Sequence, residues 1–277
     1  MPDKIWGFDP CSQKFILKNK KIFDYSAIFL ATNGHYYSDS SYLDYLGFEP
    51  KCKGEFYIMD HDNRNIERFA EQKFVEKKQL VMITNFQKDE SIIEFVPDYF
   101  GEVNITPKNE NIINFISVGA MEQKRRNVSL LIESVEKLRN ARINNFVITI
   151  IGGGKKLCLP DSIKKYFDIK GKLNYQEMYE EMENADFFLP LLDPTIEANR
   201  DYLCHLTTGS KQLISGFKKP CLINDEFAKV YGFDDSNAIV YKQNDLFLAM
   251  QKAISIIQAN YESLQNKIIS KGNIINV

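Results

Sequence analysis

The chain has 277 residues, of which 44 % are hydrophobic and 26 % charged, and its formal net charge is -2. These values favour a globular protein long enough for two domains, and they exclude a disordered or fibrous chain and a general nucleic-acid-binding surface. The five cysteines are scattered and form no C-x-x-C pair, which favours a reducing cytoplasm. Because no apolar run approaches the roughly 20 residues of a membrane span, we expect any membrane contact to be peripheral.

Three short apolar runs in the first half are typical of β-strands. They are AIFLAT at 27–32, EFYIMD at 55–60 and LVMITN at 80–85. The helical patterns between them are few and short. A polar stretch with Pro97 and Pro107 follows, and its residues 104–112 are the best linker candidate. We therefore predict an N-terminal domain at residues 1–108.

From residue 113 onwards, apolar strands alternate with amphipathic helical patterns, which predicts βαβ units around a parallel sheet. The predicted strands are 113–119, 146–152, 168–171, 186–192, 220–224 and 238–242. The predicted helices are 127–142, 174–185, 207–217 and 245–260, and Asn174 with Glu177 has capping-box spacing. We predict a second domain at 109–255 and a helical segment at 256–277.

Two glycine-containing segments are candidates for binding an anion. The run GGGKK at 152–156 follows a predicted strand, but it fits neither the G-x-x-x-x-G-K-[ST] loop nor the G-x-G-x-x-G fingerprint. The segment TTGSK at 207–211 supplies hydroxyls, unhindered backbone N–H groups and a cation at the start of one predicted helix, which suits a diphosphate. An ordinary Thr/Ser N-cap with a solvated lysine is the alternative for this segment.

Four segments of the second half, in this order, resemble the nucleotide-sugar-binding domain of GT-B glycosyltransferases. They are FISVGAMEQKRRNVSLLIESVEKL, ITIIGGG, IKGKLNYQEMYEEMENADFFLPLL and TTGSKQLISGFKKPCLI. The likeness is to the group 1 type of bacterial polysaccharide and lipopolysaccharide biosynthesis. It implies an α/β fold with two Rossmann-like domains facing a cleft, the N-terminal one reduced and on the acceptor side. It also implies that the C-terminal helix crosses back towards that domain.

The resemblance implies a hexosyltransferase that takes its sugar from a nucleotide diphosphate donor, a UDP-sugar by default. The acceptor would be a glycan or a lipid-linked glycan, in the cytoplasm or at the inner face of the membrane, without a cofactor or a tightly held metal. Lys18, Lys20 and Lys21 could touch an anionic membrane surface, with a solvated helix face as the alternative. A nucleotide-sugar 2-epimerase of related fold and a non-catalytic nucleotide-sugar-binding or partner subunit stay open.

The resemblance also assigns residues to the donor. The set comprises Gly119, Lys124, Arg125, Arg126, Gly153, Lys172, Leu173, Glu197, Thr207, Thr208, Gly209, Ser210 and Lys211. Two departures from the family pattern stand out. Ala120 follows Gly119 where many members have arginine, so the phosphate-neutralising charge must come from residues 124–126. His205 stands eight positions after Glu197, where the retaining subgroup has a second glutamate, so the stereochemical outcome stays open.

An inverting transferase needs a general base on its acceptor side. His35 follows the first predicted strand, and Asp60 and Asp62 follow the second, where side chains face a ligand in such folds. A structural or solvated role is the alternative for each. The same Asp60 and Asp62 form a D-x-D pattern, by which GT-A glycosyltransferases hold Mn²⁺ or Mg²⁺, and this three-residue pattern is the weaker reading.

Overall fold

The computed structural model describes residues 27–31, 55–67, 80–96, 98, 100–153 and 157–272. The chain divides into two compact units, Met1–Val96 and Pro97–Val277. His35 and the three lysines at 18, 20 and 21 lie outside the described residues. None of the described helices is both long enough and apolar enough to cross a membrane.

The first unit contains a parallel sheet. Its strands are β1 (Ala27–Ala31), β2 (Glu55–Asp60), β3 (Leu80–Met82) and β4 (Ile93–Glu94), and they pair in that order. The first three confirm the strands predicted for this half. All three residues of β3 are buried, as expected for a short apolar strand inside a parallel sheet. The strand β4 was not among the predicted strands, although it lies in the apolar run IIEFV at 92–96; both of its residues are exposed.

The second unit has the strand order of a dinucleotide-binding fold. Its strands are β5 (Ile113–Val118), β6 (Phe146–Ile151), β7 (Phe167–Gly171), β8 (Phe187–Phe188), β9 (Leu222–Asn224) and β10 (Ile239–Tyr241). They are parallel in the order β7-β6-β5-β8, and a parallel bridge from Phe188 to Cys221 leads to the pair β9-β10. Numbered from β5, this is the order 3-2-1-4-5-6 of the Rossmann fold.

Seven α-helices are described in the second unit. They are α1 (Val128–Asn140), α2 (Tyr175–Asn184), α3 (Glu197–Cys204), α4 (Gly209–Phe217), α5 (Asp225–Tyr231), α6 (Leu246–Ser255) and α7 (Gln258–Gly272). The predicted helices correspond to α1, α2, α4 and α6. The capping box at the start of α2 is confirmed, with both Asn174 and Glu177 side chains accepting from the other residue's N–H.

The core of the second unit lies between the sheet and the helices α1 and α6. Phe115 and Phe187 are fully buried and their rings stack at 5.9 Å on neighbouring strands. Leu131 and Leu138 of α1 and Met250 of α6 are also fully buried. Burying each such side chain contributes about 1.5–3 kcal/mol, so the apolar stripe of α1 is sufficient reason for its position on the sheet.

The segment after Pro97 is packed onto the second unit. Phe100 stacks on Phe217 at 5.1 Å, and a Cβ added to Gly216 would lie 2.2 Å from the Phe100 ring. The ammonium of the fully buried Lys219 donates to Thr106 Oγ1 at 3.1 Å, inside the predicted linker 104–112. The linker candidate therefore lies within the second unit. The helix α7 packs beside β8 of the second unit, since the Tyr261 hydroxyl donates to the carbonyl of Asp186, the residue before that strand, at 2.9 Å.

Candidate donor site

Glycine turns follow β5 and β6 and lie against each other. Gly119 has a φ of +123° and Gly152 a φ of +151°. A Cβ added to Gly152 would lie 2.3 Å from the Gly119 carbonyl oxygen, so only glycine allows these backbones to approach so closely. A Cβ added to Gly153 would lie 2.4 Å from Cε of Lys172, which follows β7. The structure thus brings Gly119, Gly153 and Lys172 together in one row at the carboxyl edge of the sheet.

The guanidinium of Arg126 lies beside Gly119, where β5 and β8 end next to each other. Its Nη2 donates to the Val118 carbonyl at 2.9 Å, and its Nη1 donates to the Pro190 carbonyl. The same Nη1 lies 3.5 Å from Ser210 Oγ. The strand order reverses between β5 and β8, and open α/β sheets bind their ligands at such a switch point.

The charge of Arg126 is not balanced by a carboxylate of the described chain. Burial lowers the pKa of Arg126 to about 10, the nearby Arg125 acts in the same direction, and Tyr202 opposes both. No carboxylate among the described residues contributes to the pKa shift of Arg126. The guanidinium is therefore protonated at neutral pH and available to an anion that enters at the switch point.

The N-terminus of α4 reaches the same position. Thr208 is its N-cap, with Oγ1 accepting from the Ser210 N–H at 3.3 Å, and the Lys211 N–H donates to the Thr208 carbonyl at 3.1 Å. Gly209, the first helical residue, is exposed, and a Cβ added to it would meet nothing within 4 Å. The prediction that TTGSK opens a helix is confirmed. The first N–H groups of a helix lack intrahelical acceptors and attract anions, so the start of α4 is a candidate anion site.

Lys211, on α4, has a different environment from the cations Lys124 and Arg125. Lys211 is only 9 % exposed, and its ammonium lies 5.8 Å from the centroid of the Tyr231 ring. Its aliphatic stem is therefore covered while its charge stays near an aromatic face. In contrast, Lys124 is exposed and pairs with Glu122 at 3.2 Å, and Arg125 is exposed too. Of the three predicted cations at 124–126, only Arg126 reaches the switch point.

The remaining predicted donor residues are Leu173, Glu197 and Thr207, and they differ in exposure. Leu173 is half-buried in the loop between β7 and α2, next to the exposed Lys172. Glu197 is the first residue of α3 and is exposed, so the structure leaves its carboxylate in solvent. Thr207 is buried just before the N-cap of α4.

The loop after β8 is tied to the start of α1 by residues that the sequence reasoning missed. Asn127 caps α1 by accepting from the Leu130 N–H at 2.9 Å, and its Nδ2 donates to the buried Asp193 carboxylate. The Asn127 N–H also donates to the Leu191 carbonyl at 2.9 Å. Asn127 thus holds the residue before it, Arg126, against the β8 loop. An asparagine directly before an apolar helical pattern was the signal that could have revealed it.

The helix α3 was also missed, and it forms one wall of the region. Asn199 is fully buried and its Nδ2 donates to the Asp193 carbonyl at 3.3 Å. The Tyr231 hydroxyl donates to the Tyr202 carbonyl at 2.7 Å, which ties α3 to α5. No cap marks the start of α3 in the sequence, because the N-cap position is Ile196.

In the first unit, the structure places Asp60 and Asp62 in one tight turn at the end of β2. Asp60 is buried and accepts from the His61 N–H at 2.6 Å, from the Asp62 N–H at 2.9 Å and from Asn65 Nδ2 at 2.9 Å. Burial raises its pKa and these hydrogen bonds oppose the rise. Asp62 caps a short 3₁₀ helix and pairs with Arg64 at 2.9 Å.

These contacts favour a structural role for both carboxylates, because the chain itself supplies their hydrogen-bond donors. The described residues include no cluster of three or more His, Cys, Asp or Glu side chains of the kind that holds a metal ion. His35 lies outside the described residues and stays a prediction.

The comparisons with known proteins concern the fold. No protein-family model matches the sequence, and no curated protein sequence matches it either. AviGT4, a glycosyltransferase involved in avilamycin A biosynthesis, superposes with a TM-score of 0.58 at 8 % identity, over 94 % of this chain and 72 % of its own. TarM superposes with a TM-score of 0.54 at 14 % identity, over 91 % of this chain and 52 % of its own.

A TarM variant from S. aureus in complex with fondaparinux, alpha-GlcNAc-glycerol and UDP gives a TM-score of 0.52 at 15 % identity, over 81 % of this chain and 50 % of its own. The chain thus spans about half the length of TarM. Identities this low carry information on the fold alone. Together with the parallel sheets, these superpositions show that this chain has the fold of the GT-B glycosyltransferases.

Proposed function

We propose that the chain is a glycosyltransferase that takes its sugar from a nucleoside diphosphate donor. The observation that carries the proposal is the Arg126 guanidinium, which has no carboxylate partner among the described residues and lies 3.5 Å from Ser210 at the start of α4. A half-buried cation and a helix N-terminus at one switch point form a site for a multiply charged anion. The likeness to GT-B glycosyltransferases supports a diphosphate as that anion.

The chemistry of glycosyl transfer makes use of these groups. As the bond to the sugar breaks, negative charge grows on the leaving diphosphate while the sugar gains oxocarbenium character. Arg126 and the backbone N–H of Gly209 are fixed before the reaction, so they stabilise this charge without reorganising. Lys211 adds a second positive charge on the same helix, at its third residue.

The proposed place for the base and ribose is the row formed by Gly119, Gly153 and Lys172. The Lys172 side chain lies over the backbone of Gly153, with Cε 2.4 Å from the place of an added Cβ, so its ammonium is a candidate contact for a ligand in this row. We further propose a UDP-sugar as donor and a glycan or lipid-linked glycan as acceptor. The UDP and sugar ligands of the TarM variant support this choice of ligand class. A cytoplasmic enzyme, with the peripheral membrane contact expected from the sequence, fits that chemistry.

The general base stays a prediction. His35, Asp60 and Asp62 are its candidates. The two aspartates are the weaker ones, because their carboxylates already accept hydrogen bonds within the turn and a base must reach an acceptor hydroxyl. Retention or inversion follows from the anomer of the product, which NMR of the transferred sugar measures directly.

A thermal-shift panel tests the proposal. The melting temperature is measured with UDP, GDP, ADP and dTDP, each beside its glucose derivative, because a ligand that binds only the native state raises it by mass action. We expect one base to give the largest rise, and UDP is the first choice. Arg126→Gln should abolish the rise, whereas Lys124→Gln, an exposed cation of the same loop, should retain it.

Two outcomes would contradict the proposal. If no nucleoside diphosphate raises the melting temperature at high concentration, the donor site is wrong. If nucleotides bind but the bound donor is never hydrolysed or transferred, the non-catalytic subunit is the better reading. Recovery of the 2-epimer after incubation with UDP-N-acetylglucosamine would instead support the epimerase.

A further inference from the structure

Tyr231 is a buried residue of α5 whose hydroxyl and ring contact different parts of the second unit. It is the last residue of that helix and is 7 % exposed. The fully buried Phe227, one turn earlier, lies nearly parallel to it, with the ring centroids 6.5 Å apart. The position of the Tyr231 ring is therefore fixed by packing and does not depend on a ligand.

The hydroxyl of Tyr231 holds the chain that leads into α4. It donates to the Tyr202 carbonyl in α3 at 2.7 Å, and it lies 3.4 Å from the carbonyl of Leu206, two residues before the N-cap Thr208. Burial raises the pKa of Tyr231, and a hydrogen bond from the Thr208 backbone N–H opposes the rise. The hydroxyl is thus protonated at neutral pH and lies among three backbone groups of the segment that ends at the N-cap.

The ring of Tyr231 supports a lysine in the first turn of α4. The ammonium of Lys211, the third residue of that helix, lies 5.8 Å from the ring centroid, and Lys211 is only 9 % exposed. A cation within about 6 Å of an aromatic face is attracted by the ring, more strongly where water is excluded. The ring therefore favours one position of this charge over the many that a lysine samples in solvent.

These contacts lead to the groups proposed to bind the diphosphate. Thr208 begins the helical turn whose Ser210 lies 3.5 Å from the Arg126 guanidinium. The Tyr202 side chain acts to raise the pKa of both Arg126 and Tyr231, so it lies near each of them. Tyr231 is thus one contact removed from the groups of this anion site.

An anion site of this kind depends on the direction of its donors. Backbone N–H groups and a cation stabilise charge best when they are fixed before the ligand arrives. The first turn of a helix has the fewest internal hydrogen bonds, so its position depends on contacts from outside the helix. A shift of about 1 Å in such a group can cost about a hundredfold in rate.

We propose that Tyr231 is a positioning residue for the diphosphate of the donor. Its hydroxyl fixes the segment that ends at the N-cap of α4, and its ring fixes the charge of Lys211. This inference rests on the proposed function. Tyr231 contacts no ligand in this arrangement and acts through Thr208 and Lys211.

Tyr231→Phe tests the hydroxyl alone, because the ring beneath Lys211 stays. Affinity for UDP is measured by calorimetry, affinity for uridine by ligand-observed NMR, and stability without ligand by urea unfolding. We expect affinity for UDP to fall about tenfold, the effect of about one hydrogen bond. Affinity for uridine, which has no phosphate, should stay that of the wild type.

Tyr261→Phe is the matched control. Tyr261 is also buried in the second unit, and its hydroxyl donates to the Asp186 carbonyl at 2.9 Å, at the edge of the sheet opposite to the candidate site. Removing either hydroxyl leaves a backbone carbonyl without this donor, so both variants should lose stability to a similar extent. Tyr261→Phe should nevertheless bind UDP as the wild type does.

The ring is tested with and without the lysine. Tyr231→Leu should bind UDP more weakly than Tyr231→Phe, because it also removes the aromatic face. In a Lys211→Met background the two substitutions should give the same UDP affinity, since no cation remains beside the ring.

Four results would overturn the inference. If Tyr231→Phe binds UDP as well as Tyr261→Phe does, the hydroxyl serves stability alone. If uridine and UDP weaken equally, the substitution distorts the whole site. If the leucine and phenylalanine variants differ as much without Lys211 as with it, the ring acts by packing and not through the cation. A wild type that binds no UDP would remove the proposed function, and this inference with it.

Discussion

Replacing Gly209 by alanine should separate stability from donor binding. A Cβ at this position meets nothing within 4 Å, so the folded protein accommodates the methyl group without strain. Alanine restricts the unfolded chain and is the better helix former, so we expect the free energy of unfolding to stay equal or rise by up to about 1 kcal/mol. Any loss of binding in this variant therefore has a local cause.

The magnitude of that loss follows from the position of the methyl group. Gly209 is the first residue of α4, and open space at its Cβ is the space from which an anion would approach the helix N-terminus. Blocking one hydrogen bond to a charged group costs about 1.5–3 kcal/mol. This corresponds to an affinity about 10- to 150-fold lower, which calorimetry with UDP measures well.

Gly153→Ala is the matched comparison. The added Cβ would lie 2.4 Å from Lys172 Cε, the far part of a flexible and exposed side chain that can move aside. We expect this variant to fold normally and to bind UDP less than tenfold more weakly than the wild type, since no diphosphate contact is lost. The reverse order, with Gly153→Ala the more damaging of the two, would refute the reasoning and make the turn after β6 the main anion site.

Three further variants test the supporting structure. Burial lowers the pKa of Lys219 to about 8, below the roughly 10.4 of the unfolded chain. The unfolded state therefore binds more protons between these values, and the stability of the wild type relative to Lys219→Met should rise from about pH 8 to pH 10 in urea titrations; a constant difference would contradict this. Asn127→Ala should cost about 2–4 kcal/mol in unfolding experiments, because it removes an N-cap and a partner of the buried Asp193, against about 1 kcal/mol for the exposed cap variant Asn174→Ala. Asp62→Asn should lower stability by about 1 kcal/mol through the weakened pair with Arg64, with donor turnover unchanged; a turnover loss of about a hundredfold would restore Asp62 as a base.

The central strands β5 and β6 of the second unit could be predicted from the sequence because they are buried on both faces, unlike the largely exposed edge strand β7. Short apolar runs bounded by turn residues identify β5 and β6 directly. The strand predicted at 186–192 is longer than the observed one, since only Phe187–Phe188 forms a strand. Pro190 lacks an N–H, and Leu191 adopts a φ of +54°, so the buried chain leaves the sheet although its residues stay apolar.

Of the helices that escaped prediction, α5 has an Asn224 N-cap and a Gly232 C-cap that could have revealed it, whereas α3 lacks such signals. The helix α3 has Ile196 at its N-cap position and a largely polar sequence, and its place is determined by tertiary contacts such as that of Asn199 with Asp193. The predicted helix 245–260 is interrupted because Ile256 is extended, with a ψ of 132°, and no glycine or proline marks the break. Local propensity does not contain this information, since it depends on what each residue packs against.

The donor site shows why position along the chain and position in space must be distinguished. Ala120 departs from the GT-B pattern that the sequence resembles, in which arginine often follows the glycine. In the fold, Arg126 turns back to Gly119, where an added Cβ would lie 2.8 Å from its Nη2. The absence of a side chain at Gly119 leaves room for the guanidinium, and its hydrogen bonds to the Val118 and Pro190 carbonyls hold it between the ends of β5 and β8. A positive charge at a switch point can thus be supplied by a residue seven positions after the strand-ending glycine, as long as that glycine has no side chain to block it.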